Sequence, residues 1–291
     1  MAWNARFEYL PIVDRKPMKL PKGARVAVWV IVNVEEWDIQ RPMARTILPP
    51  PGGTSNPPPD VPNYAWFDYG MRVGVWRFLE VLGRHKVKAT VSLNGIVCVD
   101  YPRLVEAFVK SDWELMGHSY IQRPTPQEED QAGNIRKTMA AIKAACGRPP
   151  RGWMGPGLTE VWDTPDLLAA EGIEYVCDWV NDDLPYDLKV KSGRLVSVPY
   201  TVELNDIPIF VLQHHPAEEL FRRIKDQFDT LYAEGRKQPR IMAIALHPYN
   251  TGVPHRIKYL DQALRYIKKH PGVLFWKGEE IVDWYLTQPK H

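Results

Sequence analysis

The chain has 291 residues, 45% hydrophobic and 25% charged, and its 37 basic and 35 acidic side chains leave a net charge of +2. That composition belongs to a soluble globular protein of one large or two small domains, and the balanced charge gives no pull toward nucleic acid or an anionic membrane. Cys98, Cys146 and Cys177 are widely spaced, with no Cys-x-x-Cys pair, which argues against a zinc knuckle or a disulfide framework. The N-terminus lacks a basic head followed by a long apolar run, and no stretch of about 18 apolar residues occurs, so neither a signal peptide nor a membrane span is expected. A reducing cytoplasm is the expected compartment.

In chain order, Val26–Val34 reads as a buried strand ending at Glu35 and Glu36. Prolines crowd the next stretch, 42–62, which includes Pro49-Pro50-Pro51-Gly52-Gly53 and Pro57-Pro58-Pro59. Such a segment supports neither helix nor central strand, and long insertions of this kind tend to be covers or contact surfaces. The aromatics Tyr64, Trp66, Phe67 and Tyr69 behind it favour docking over disorder. Val73–His85 is a helix with Val75, Phe78, Leu79 and Leu82 on one face. Ala89–Leu93 is a strand, Pro102–Lys110 a helix opened by proline, and Glu114–Gly117 a strand ending at His118. Gln127–Cys146 is a helix stopped at Gly147, and Gly152–Met154 a strand end. Thr164–Glu171 is a helix, and Tyr175–Asp178 a strand. Leu195–Val198 and Ile209–Leu212 read as strands around a turn, and Ala217–Gly235 as a helix. Ile241–Leu246 is a strand ending at His247, Pro254–His270 a helix, Val273–Trp276 a strand and Gly278–Leu286 a closing helix.

Strands separated by helices imply parallel pairing with crossovers, and the number of repeats favours a closed or nearly closed barrel in a single domain spanning 1–291. In such a barrel every strand ends at the same rim. Glu35, Glu36, His118, Asp178 and His247 all follow strands, so the topology gathers residues remote in sequence at one mouth. Singly, each has a plainer use: a carboxylate at the rim in a salt bridge, or a histidine bonded to backbone. Side chains alternate along a strand, so Glu35 and Glu36 point in different directions.

These strand ends and their neighbours resemble the polysaccharide deacetylase superfamily (NodB-homology, carbohydrate esterase family 4), in particular its branch of metal-free allantoinases, cyclic-imide hydrolases and peptidoglycan-deacetylase-like proteins. The resemblance runs from Arg25 to Trp284. The family's Thr-Phe-Asp-Asp-Gly motif corresponds to Asn33-Val34-Glu35-Glu36-Trp37, and its two histidines a helical turn apart to His118-Ser119-Tyr120-Ile121-Gln122. Its Arg-x-Pro-x-Gly corresponds to Trp153-Met154-Gly155-Pro156-Gly157, and its final Leu-His to Leu246-His247. The resemblance implies a distorted (β/α)7 barrel of the α/β class and a hydrolase of non-peptide carbon–nitrogen bonds. It implies Glu35 as the base that activates water and His247 as the acid that protonates the leaving nitrogen. Asp178 would orient a partner histidine or cap the next segment.

The family's metal ligands, an aspartate and two histidines, correspond to Glu36, His118 and Gln122. A glutamine carbonyl is a poor zinc ligand. Either no cofactor is required, with Gln122 binding a substrate amide and His118 donating to the oxyanion, or a divalent metal such as zinc sits on Glu36 and His118. Trp153 and Trp179 are candidate walls for a flat ring, and His255 a candidate contact at the rim, with helix capping as its plainer use. The expected substrate is a small cyclic amide or imide or a soluble N-acyl compound. The alternatives are a metal-dependent polysaccharide or peptidoglycan N-deacetylase and a ligand-binding relative without turnover. The family and the insertion together suggest a homo-oligomer, such as a tetramer.

Overall fold

The computed structural model describes residues 5–53 and 56–289. Residues 54 and 55 of the 42–62 insertion lie outside that description. The first strand, β1 (Val26–Val34), is buried along its whole length. Its two faces serve different cores. Ala27, Trp29 and Ile31 pack with Met116, Tyr175, Cys177, Ile241 and Ala243 inside the curl of the sheet. Val26, Val28, Val30, Val32 and Val34 pack outward with Phe78, Leu82, Phe228 and Leu264 of the covering helices. A strand buried on both faces has to be apolar throughout, and β1 is, up to Asn33.

The remaining strands are β2 (Thr90–Leu93), β3 (Glu114–Gly117), β4 (Gly152–Trp153), β5 (Tyr175–Val176), β6 (Tyr186–Leu188), β7 (Leu195–Ser197), β8 (Arg240–Leu246) and β9 (Val273–Phe275). The helices are α1 (Val61–Tyr69), α2 (Val75–Arg84), α3 (Val97–Asp100), α4 (Pro102–Lys110), α5 (Gln131–Cys146), α6 (Thr164–Ala170), α7 (Glu219–Glu234), α8 (Pro254–Ile267) and α9 (Gly278–Leu286). Strand order is β6-β7-β5-β4-β3-β2-β1-β8, with β9 on the first residues of β1. Every pairing is parallel except β6 with β7. The curl closes irregularly. Ala245 N–H bonds the Leu204 carbonyl at 3.0 Å and Ile241 N–H the Asp183 carbonyl at 3.0 Å, so two irregular segments complete the wall beside β8. This is the distorted (β/α)7 barrel expected from the sequence.

Three local readings change. Ile209–Leu212 is not a strand but part of a wide helical turn, Ile207–Leu212. Pro208 presets its first turn and the Asn205 side chain accepts the Ile207 N–H at 3.0 Å; a short apolar run does not by its periodicity separate helix from strand. The aromatic stretch after the insertion is itself a helix, α1, started by Asp60, whose carboxylate accepts the Asn63 N–H. Strand β6 went unread because it is short and pairs locally with β7.

Candidate active site

Alternation along the strands decides which strand-end residues enter the lumen. On β1 the inward series Ala27, Trp29, Ile31 continues through Asn33 to Glu35. On β3, Leu115 faces the helices and Met116 the lumen, so His118 points inward. On β8, Ala243 and Ala245 face the lumen and Ile244 and Leu246 the helices, so His247 points inward. Ladder register brings these ends level: Leu93 pairs with Gly117, and Val32 with Leu246. Beyond His118, Ser119 takes a left-handed conformation (φ 61°) that turns the chain and returns Gln122 over the site. Gly117 is required because a Cβ there would lie 2.6 Å from the Trp153 ring.

Glu35 is the centre of the arrangement. Its Oε1 lies 3.6 Å from His118 Nε2 and 3.7 Å from His247 Nε2, and it accepts the Gln122 amide N–H at 3.0 Å. Its Oε2 accepts the Tyr249 hydroxyl at 3.1 Å. Behind His247 stands Asp206, fully buried, whose Oδ1 accepts the Nδ1–H at 2.7 Å. Its Oδ2 accepts the His247 backbone N–H at 2.9 Å and the Thr251 hydroxyl at 2.6 Å. An ionised carboxylate taking three donors orients the imidazole and stabilises its cation. These groups open on a cavity of about 850 Å³ lined also by Trp37, Met43, Met154, Leu158, Tyr200 and Ile207.

The charges follow from these contacts. Burial lowers the basicity of His247, but Asp206 and Glu35 outweigh it, and the imidazole is raised to about 9. It is therefore an imidazolium at neutral pH. Burial likewise disfavours the Glu35 anion, but the His118 and His247 rings outweigh it and hold the carboxyl well below the usual range. His118 Nδ1 lies 2.7 Å from the Met154 carbonyl, which can only accept, so the proton sits on Nδ1. Its buried Nε2 faces the site with no hydrogen-bond partner among the described residues.

Asn94 sets the direction of the Gln122 amide. Asn94 Oδ1 accepts the Glu36 backbone N–H at 2.9 Å, so its Nδ2 must donate, to the His118 carbonyl and to Gln122 Oε1. Gln122 therefore turns its oxygen to Asn94 and its N–H to Glu35. The site thus offers a metal one carboxylate and the His118 nitrogen, since an imidazolium and an amide N–H have no lone pair to give. Zinc in a catalytic site takes three protein ligands, and no cluster of three His, Cys, Asp or Glu among the described residues could hold a metal. The donor set does not fit a zinc site.

Several expected residues stand elsewhere. Glu36, paired with His118 in the sequence reading, alternates outward: its carboxyl meets Tyr101 near Asp68 and Asp100, and burial there pushes it up to about 7. It touches the edge of the cavity, but Glu35 occupies the place beside His118. Asp178 does not orient His247; Asp206 does. On β5, Tyr175 and Cys177 face the lumen, so Asp178 turns outward, accepts the Gly155 N–H at 2.9 Å and meets Glu160. Trp153 packs outward with Ile135 and Leu168 rather than lining the cavity. Trp179 stacks edge-on to Phe7 at 5.3 Å, and His255 is exposed at the start of α8. Asp206 and Tyr249 were missed. Asn205-Asp206-Ile207-Pro208 reads as an ordinary turn before a proline, whereas Tyr249, two residues beyond His247, carried a legible signal.

The polysaccharide deacetylase family profile matches residues 55–176. A Schizosaccharomyces pombe (strain 972) protein bearing the name polysaccharide deacetylase is 29% identical over 95% of this chain and 95% of its own. A Pseudomonas aeruginosa PAO1 crystal structure described with the same name superposes with a TM-score of 0.83 at 27% identity, covering 96% of this chain and 98% of that one. Puue allantoinase superposes with a TM-score of 0.83 at 26% identity, covering 98% of this chain and all (100%) of that one. Over nearly its whole length the chain is thus similar to proteins named as polysaccharide deacetylases and to an allantoinase, and with the barrel and its motifs these likenesses support a hydrolase of carbon–nitrogen bonds.

Proposed function

We propose that the chain opens a small cyclic amide or imide by adding water to its carbonyl, with Glu35 as base and His247 as acid. The observation that carries this reading is the Asp206–His247–Glu35 series, an imidazolium held between two carboxylates at the floor of the cavity. Water donates one proton to Glu35 Oε1. Its oxygen adds to the carbonyl carbon, and the negative charge that forms is met by the second Gln122 N–H. As the carbon–nitrogen bond breaks, the His247 Nε2–H passes to the departing nitrogen. Glu35 is then protonated and His247 neutral; return of the proton across the 3.7 Å gap restores both.

A carboxylate with depressed pKa is a weak base while two imidazoles hold it. A bound amide nitrogen that draws the His247 N–H away weakens that hold and strengthens Glu35 at the moment of attack. The full-length likeness to a protein named as an allantoinase supports a cyclic substrate. A cavity of about 850 Å³ is within the range of small-molecule sites.

The test combines turnover with metal analysis of the purified protein. Ring opening should be detected across a panel of hydantoins, dihydropyrimidines and imides, persist after chelation, and proceed at metal contents far below one per chain. Stoichiometric zinc with chelator-sensitive release of acetate from N-acetyl sugars, and no ring opening, would overturn the reading in favour of a deacetylase.

A further inference from the structure

Three arginines line the cavity, and they are not equivalent. Arg41 is paired with Asp38 at 3.3 Å and Arg123 with Glu128 at 3.7 Å. Arg45, brought in by the proline-rich insertion and half-buried, makes no hydrogen bond or ion pair with any described residue. It is close enough to Tyr249 to offset part of what burial and Glu35 do to that hydroxyl. Tyr249 bonds Glu35 Oε2, on the other side of the carboxylate from the Oε1 where His118, His247 and Gln122 converge.

At the floor of the cavity the carboxylates of Glu35 and Asp206 flank the single imidazolium of His247. Arg45 takes part in none of these contacts and lines the cavity wall half-buried, with no acidic partner among the described residues. A guanidinium is a planar fork of N–H donors that fits a carboxylate through two parallel bonds and has no use for an apolar group. Met43, Met154, Leu158 and Ile207 supply the apolar surface beside it for a flat ring.

We propose that Arg45 anchors a carboxylate carried by the substrate, apart from the bond that is cleaved, so that the site selects anionic cyclic amides over neutral ones. The proposal rests on the hydrolytic reading for its use in turnover, but binding tests it independently. The probes are matched rings with and without a carboxylate: dihydroorotate with dihydrouracil, and hydantoin-5-acetate with hydantoin. Calorimetric titration of the wild-type protein should find the carboxylated member bound roughly tenfold to a hundredfold more tightly, the range of one charge-assisted contact. Arg45→Gln should abolish that preference and leave binding of the neutral ring unchanged, while Arg45→Lys should keep part of it. An unchanged thermal unfolding midpoint for both variants excludes a folding defect. Equal binding of the two members, no binding of either, or a preference that survives Arg45→Gln overturns the proposal. Ring opening without a carboxylate preference would sink the anchor and leave the hydrolytic reading intact. A carboxylate preference without ring opening would do the reverse.

Discussion

Two buried carboxyl groups at strand ends of the same barrel behave oppositely. Glu35 follows β1 and faces inward between two imidazoles, which hold its carboxyl well below the usual range. Asp178 lies just past β5 and faces outward against Glu160, and burial beside that second acid raises it well above the usual range. Asp178 Oδ2 and Glu160 Oε1 are both out of water with no donor among the described residues, so a proton shared between them supplies the missing hydrogen bond. Burial penalises both anions; the sign of the result is set by the neighbours, and the neighbours are set by strand parity. One residue of register separates a carboxylate held between imidazoles from an outward-facing acid pair.

Glu35→Gln should break the contrast most severely, because it keeps the shape and removes the base. A loss of roughly 10²- to 10⁴-fold in kcat is expected, with the unfolding midpoint nearly unchanged; a variant retaining a tenth of wild-type turnover would remove Glu35 from the chemistry. Asp206→Asn comes next, with a loss of roughly a hundredfold. The wild-type rate should be level through neutral pH and fall through about 9, where His247 loses its proton. In Asp206→Asn that decline should move to lower pH, since the cation loses its main partner. An unmoved high-pH limb would show that another group carries the acid role.

Asp178→Asn should alter activity by no more than a few-fold, because the amide can donate to Glu160 and still accept from Gly155. Its effect belongs to stability. Glu160 is pushed up to about 7, so the pair stabilises the fold fully below the ordinary carboxylate range and loses that contribution as pH rises through about 7. Unfolding midpoints measured from pH 5 to 8 should fall less steeply in Asp178→Asn than in the wild type; equal slopes would dissolve the shared-proton account. Smallest of all, His255→Ala should shift stability by less than about 0.5 kcal/mol and leave turnover untouched, as expected for an exposed side chain off the cavity. A drop in kcat/KM would return it to the site.

The barrel was legible because its strands are apolar runs separated by helices, and Glu35, His118, Gln122 and His247 were legible because a parallel barrel collects strand ends. The assignments that shifted share one cause. Glu36, Trp153 and Asp178 were placed by proximity to a strand end, whereas the lumen receives alternate positions only. Counting back along each strand to its inward-facing residues sorts them, but for β4 and β5 the ladder is two residues long and the phase becomes visible only through packing. Asp206 was beyond such counting, since it reaches His247 from an irregular segment that no ladder fixes.

Asn94 touches no reacting atom, yet it decides what Gln122 presents. Because a main-chain N–H cannot reverse its polarity, the donor sense imposed by Glu36 is inherited link by link until it emerges as an N–H pointing at Glu35. A lineage that exchanged Asn94 for aspartate would invert the series and turn an oxygen toward the same spot. Chemistry of this kind can therefore drift toward or away from cations through a residue that sequence comparisons restricted to the pocket would overlook.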